Sequence, residues 1–165
     1  MVMGAWETHA WPTITLRGFR VSVISRSITI SAPPSTILEI LLDVENYPAW
    51  QSTVDRVEVL ERDPQGRPKM CRFNAVAGDL TANWTVLYDY TELFRFEYFM
   101  LEGDAMKRND GSYAIAERPD GTSEVSATLG FDIDWPLPAA AIEQLVMVAV
   151  NDLFDAIKAR AEKAA

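Results

Sequence analysis

The chain has 165 residues with 48% apolar composition, and its 24 Asp and Glu outweigh 15 Lys and Arg to give a formal charge of -9. That length supports one domain with a sizeable core, and no apolar run approaches the roughly 20 residues a membrane-spanning helix needs. The negative charge, with no run of Lys and Arg to offset it, argues against a nucleic-acid partner, and Cys71, the single cysteine, excludes an intramolecular disulfide.

The first residues lack the apolar core of a secretory signal, so the cytoplasm is the expected compartment. Residues 1–24 hold Trp6, His9, Trp11, Pro12 and Gly18 without a sustained period and read as a loosely attached leader to a domain over 25–164. Within the leader, residues 13–17 alternate briefly and are a candidate edge strand. From Arg26, Ile28 and Ile30 alternate with Ser27, Thr29 and Ser31, which predicts a first strand with one apolar face. Ala32-Pro33-Pro34 ends it. Ser35 or Thr36 is placed to cap a short helix carrying Ile37, Leu38, Ile40, Leu41 and Leu42, and Asp43 to cap a second that Pro48 weakens before Trp50.

A series of strands follows, each marked off by turn residues. Residues 54–62 form the second strand, and Asp63-Pro64-Gln65-Gly66 is a reverse turn. Cys71, Phe73 and Ala75 share one face of the third strand, over 67–77. Gly78-Asp79 turns the chain into the fourth, over 81–90, where Ala82, Trp84, Val86, Tyr88 and Tyr90 share a face. The fifth opens at Glu92, with Phe94, Phe96, Tyr98 and Met100 alternating with Arg95, Glu97 and Phe99. Residues 105–118 are a less regular sixth strand whose Gly111 is a candidate bulge. After the Pro119-Asp120-Gly121 turn, the seventh runs over 123–134 with Val125, Ala127, Leu129, Phe131 and Ile133 on one face.

Residues 138–164 read as one long helix with Pro138 at its first position and no later Pro or Gly. At about 100° per residue, its apolar side chains from Ile142 to Ile157 span an arc of roughly 200°, twice what an ordinary surface helix uses. Val148 falls outside that arc and suggests a homodimer contact. The predicted class is therefore α+β: a curved seven-stranded antiparallel sheet, two short helices after the first strand, and one long C-terminal helix. One helix is too narrow to cover the inner face of seven strands. A space should remain between them, of the concave apolar kind in which small ligands bind.

Candidate chemistry is sparse. His9 is the only histidine and lies in the leader, so nothing nearby activates Cys71, which sits on an apolar strand face as a structural thiol. Asp132 and Asp134 share the strand face opposite the aromatics and read as solvated carboxylates. No convergent metal-ligand set and no glycine-rich phosphate loop is visible, so neither a metal nor another cofactor is expected. The aromatic set Phe73, Trp84, Tyr88, Phe96, Tyr98, Phe131 and Phe154 is either simple core or a ligand wall. With Trp50 from the turn and Met147 and Val150 from the helix, these are the candidate ligand-binding residues. Tyr88 and Tyr98 stand out because a buried phenol needs a partner, and offers a ligand one directional contact or a weak general acid.

In this order of elements the chain resembles the SRPBCC superfamily with its START-like, helix-grip fold, and within it the bacterial polyketide cyclase/dehydrase and lipid-transport group. The resemblance is carried by Ser27-Ile28-Thr29-Ile30-Ser31-Ala32-Pro33 with the helix over 37–42, by Asp43-Val44-Glu45-Asn46-Tyr47-Pro48-Ala49-Trp50, and by Val57-Glu58-Val59-Leu60 with its following turn. Leu101-Glu102-Gly103-Asp104, Gly111-Ser112-Tyr113 and residues 119–125 continue it, so that it covers about 25–163. The resemblance implies binding or transport of a hydrophobic small molecule, a lipid, polyketide or aromatic, in a deep cavity. It also leaves open a polyketide cyclase or aromatase acting in that cavity, with no catalytic residue carried over, and a protein-interaction module with a closed core.

Overall fold

The computed structural model describes residues 22–165. The leader as far as residue 21, including the candidate strand over 13–17 and His9, lies outside the described residues. The order is β1 (Ser22–Ile30), α1 (Pro34–Leu42), a 3-10 segment (Val44–Ala49), β2 (Val54–Arg62), β3 (Pro68–Ala77), β4 (Leu80–Glu92), β5 (Arg95–Gly103), β6 (Met106–Glu117), β7 (Ser123–Ile133) and α2 (Ala139–Ala164). The strands form one sheet in the order β1-β7-β6-β5-β4-β3-β2, with every neighbouring pair antiparallel. It is the expected α+β architecture, with β1 and β2 at opposite edges and α1 and the 3-10 segment carrying the chain between them. Among the described residues, no helix is long and apolar enough to cross a membrane.

Local chemistry accounts for the hairpins. Between β2 and β3, the Asp63 carboxylate accepts the backbone N–H groups of Gln65 at 3.0 Å and Arg67 at 2.8 Å, while Gly66 takes φ 81°. A left-handed residue in that place favours glycine, which has no β-carbon to clash. Strand faces follow the predicted alternation. Cys71, Ala82, Val86, Val125 and Leu129 are all at most 1% exposed and face the helix side of the sheet.

Three local expectations are corrected. Pro33 and Pro34, not Ser35 or Thr36, begin α1, and no side chain caps it; proline fits the first turn because it has no N–H to satisfy and its φ is already helical. The second short helix is the 3-10 segment, with Pro48 inside it; Asp43 stands at its N-cap as expected, but its carboxylate accepts a 2.8 Å hydrogen bond from the Asn46 side-chain amide and not from a backbone N–H. The irregularity of β6 lies between Met106 and Arg108 and not at Gly111, which pairs regularly with Leu129 on one side and Tyr98 on the other. That early bulge turns both Met106 and Asn109, three residues apart, to the inner face, where both are buried.

The two halves of α2 have different surroundings. Val150, Leu153, Phe154, Ile157 and Ala161 are buried, and α2 packs against α1 and β1. Earlier in the helix, Leu145 is 40%, Met147 43% and Val148 51% exposed. The broad apolar arc is therefore buried over its second half and spans open space over its first.

Candidate ligand cavity

Between the inner face of the sheet and α2 lies a cavity of about 260 Å³. That is slightly below the roughly 300–1,000 Å³ seen for small-molecule sites. Phe73 and Ala75 of β3 and Trp84, Val86 and Tyr88 of β4 form one wall. Phe96 and Tyr98 of β5, Met106, Asn109 and Tyr113 of β6, and Leu129 and Phe131 of β7 form the rest of the floor. Ile142, Val146, Ala149, Val150 and Leu153 of α2 close it from above, and residues 51–53 with Trp135 add to its lining. Strand alternation explains the set: every second residue of five adjacent strands points into one concave face.

Of the residues singled out from the sequence, Phe73, Trp84, Tyr88, Phe96, Tyr98, Phe131 and Val150 line this space together. Trp50, Met147 and Phe154 do not. Trp50 packs edge-on against Tyr47 at 4.8 Å between ring centres, with the Arg160 guanidinium 5.6 Å above it. Met147 is on the exposed side of α2, and Phe154, 1% exposed, belongs to the packed half of the helix, with Arg26 5.3 Å above its ring. Val148, although half exposed, borders the cavity. Treating the arc of α2 as uniform along its length is what misplaced Met147 and Phe154.

The walls are largely aromatic. Phe73 and Trp84 stack at 5.5 Å with 9° between their planes, and Phe96 and Tyr113 at 5.2 Å with 21°. Tyr88 lies 5.8 Å from Tyr98 and 6.0 Å from Phe96, both tilted. Such offset and tilted pairs hold each other's orientation and give the wall a fixed shape. The Trp84 indole N–H is buried with no partner among the described residues.

Polar side chains in the lining come from Tyr47, residues 51–53, Tyr88 of β4, Tyr98 of β5, and Asn109 and Tyr113 of β6. The Tyr47 hydroxyl is satisfied, donating to the Leu41 carbonyl. By contrast, the hydroxyls of Tyr88, Tyr98 and Tyr113 and the side-chain amide of Asn109 make no hydrogen bond to another described residue and open onto the cavity, where water can reach them. Burial pushes all three phenols up from their ordinary acidity, and neighbouring phenols, Tyr47 and Tyr98 for Tyr88 and Tyr113 and Tyr47 for Tyr98, add to it. They are neutral donors at physiological pH. Among the described residues, the lining includes no lysine, arginine or histidine, and its one carboxylate, Asp152, is exposed.

Asn109 and Tyr113 escape the sequence reading because the bulge near Met106 breaks the alternation that would have marked their face. Cys71, on the same side of the sheet, is 0% exposed, and burial pushes its thiol up to about 12.

Solved structures show the same fold. A START superfamily protein from Mycobacterium smegmatis superposes with a TM-score of 0.75 at 20% identity, covering 87% of this chain and 99% of its own. A protein from Thermus thermophilus gives 0.70 at 21% identity, over 87% and 99% of the two chains. The Zhui aromatase/cyclase from Streptomyces sp. R1128 gives 0.72 at 18% identity, over 87% and 94%. No curated protein matches the chain. The family described as polyketide cyclase/dehydrase and lipid transport matches residues 22–162, and with that span and this START-like fold the chain belongs to it.

Proposed function

We propose that this protein binds a hydrophobic small molecule in the cavity between its sheet and α2. The observation that carries this reading is the unfilled space of about 260 Å³ walled by stacked aromatics and aliphatic side chains. An interior of that kind is more stable occupied by an apolar guest than by water. It also weighs against the closed-core interaction module, which needs a filled interior.

Binding by burial requires no catalytic group. A cyclase using Tyr88 or Tyr98 as acid has less support, since burial moves both phenols further from the neutral range where general acids work best. The binding reading agrees with the family, whose description joins cyclases with lipid transport.

Native mass spectrometry of the full chain purified from its own host, beside Ala149→Trp, tests the reading. Ala149 lines the cavity from α2, and an indole there takes up space that a guest would need. The expected result is a co-purifying hydrophobic mass on the wild type that is absent from the variant. The same mass on both proteins, or none on either, would refute it.

A further inference from the structure

Leu145 and Val148 lie about one turn apart on α2 and both border the cavity, yet they are 40% and 51% exposed. Leu137, 36% exposed, precedes them on the connection from β7. Large apolar side chains that line a cavity while open to the outside mark its mouth. The chain enters the described fold beside it. Ser22, where β1 begins, pairs directly with Phe131, a cavity-lining residue, and β7 runs on past that pair to Ile133. The family match also begins at residue 22, so residues 1–21 are not something the family specifies.

The composition of that segment suits the rim. Trp6, Trp11, Ile14, Leu16 and Phe19 supply apolar anchors, and Arg17 and Arg20 outnumber its one acid, Glu7, in a chain whose overall charge is -9. The rim carries the opposite sign: Asp152, about one turn beyond Val148, borders the mouth and is exposed, as is Asp134 just after β7. We propose that residues 1–21 dock on this rim in the same chain, with Trp6 and Trp11 against Leu145 and Val148, and so cover the mouth of the cavity. The stretch from Trp11 to Ser22 can span about 36 Å when extended, several times the roughly 10 Å between packed layers. Docking takes apolar surface on both sides out of water, and the tether makes the contact intramolecular, so weak intrinsic affinity suffices. Charge favours this occupant over a second copy or an anionic lipid surface, since an acidic protein repels both and attracts a segment bearing Arg17 and Arg20. With the mouth covered, a guest enters or leaves only when the segment lifts. That consequence rests on the hydrophobic-ligand reading; the docking does not.

Thiol labelling of the full chain reads the contact directly, because Cys71 is buried. Val148→Cys keeps a small apolar side chain at the rim and supplies one accessible thiol. It is compared in the native background and with Trp6→Ser and Trp11→Ser added, and Ser126→Cys, exposed on β7, serves as the control in both. A maleimide is expected to label position 148 about tenfold faster once the two tryptophans are gone, as opening of a docked segment no longer limits access. That difference should persist on dilution, and the rate at position 126 should stay the same, which also reports that both proteins are folded. Equal rates at position 148 in the two backgrounds would overturn the proposal. So would a difference that vanishes on dilution, which would make a second copy the occupant. No ligand enters the measurement, so its failure is distinct from failure of the cavity reading, which the co-purifying mass decides.

Discussion

Tyr98 lies across Gly111, with its hydroxyl 2.7 Å and its Cε1 and Cζ atoms 2.8 Å from where a β-carbon of the glycine would be. The two residues are direct partners across β5 and β6, and the glycine lets the phenol lie flat against the strand floor and not stand up into the cavity.

The first prediction follows from that contact. Gly111→Ala must displace the Tyr98 ring, and overpacking of this kind costs about 1–3 kcal/mol in spite of alanine's better strand propensity. Tyr98→Leu in the Gly111→Ala background removes the clash, so the two substitutions should be non-additive. Urea unfolding of the four proteins in the cycle measures the coupling, and simple additivity would mean that the ring does not rest on Gly111.

A second prediction contrasts the halves of α2. Phe154→Ala and Ile157→Ala empty space in the packed half, where both residues are at most 1% exposed, and should cost about 3–5 and 2–5 kcal/mol. Met147→Ala, on the exposed side of the first half, should change stability by no more than about 0.5 kcal/mol. Amide exchange should show the same gradient, with residues 139–148 exchanging sooner than 150–161. Uniform protection along the helix would contradict it.

The thiol of Cys71 supplies a third. Its full burial, and a thiol pushed up to about 12 by that burial, leave almost no thiolate at neutral pH. Iodoacetamide should label it only at the rate of unfolding, with labelling accelerating across the urea transition. Rapid labelling of the native protein would refute this placement.

The fourth concerns acid. Burial by itself pushes the Asp63 carboxyl up, but hydrogen bonds from the Arg67 backbone and side chain, together with the Arg67 charge, bring it below the ordinary 3.8. At Asp104, the backbone and side-chain N–H groups of Asn83, at 2.8 Å and 2.9 Å, lower it likewise. A carboxyl that is more acidic folded than unfolded stabilises the fold above the unfolded value, and that contribution is lost as pH falls through the folded one. Stability should therefore decline between about pH 4 and pH 2, and less steeply in Asp63→Asn, measured by urea midpoints. An unchanged acid slope in the variant would show that the turn does not hold the proton off.

The secondary structure was legible because it is governed by neighbours in the chain. Period-two runs such as Phe94 to Met100, turn residues such as Asp63 and Gly66, and the uninterrupted α2 each declare themselves within a few positions, and antiparallel order follows from short turns. Six of the aromatic lining residues were legible for the same reason, since strand alternation assigns a face without any knowledge of the partner strand, and Val150 was legible from the helical period of α2.

The tertiary structure alone decided the rest. Where the bulge in β6 falls depends on pairing with β7, and that one-residue shift turns Asn109 and Tyr113 inward and leaves Gly111 as the bed for Tyr98. Which stretch of α2 is packed and which spans the void depends on how far the curved sheet extends beneath it, so Met147 and Phe154, alike in the helical pattern, end on its exposed and buried sides. Periodicity along a chain says which way a side chain points; what it meets there is set by residues distant in sequence, and so the wall of this cavity was readable in advance and its polar corner was not.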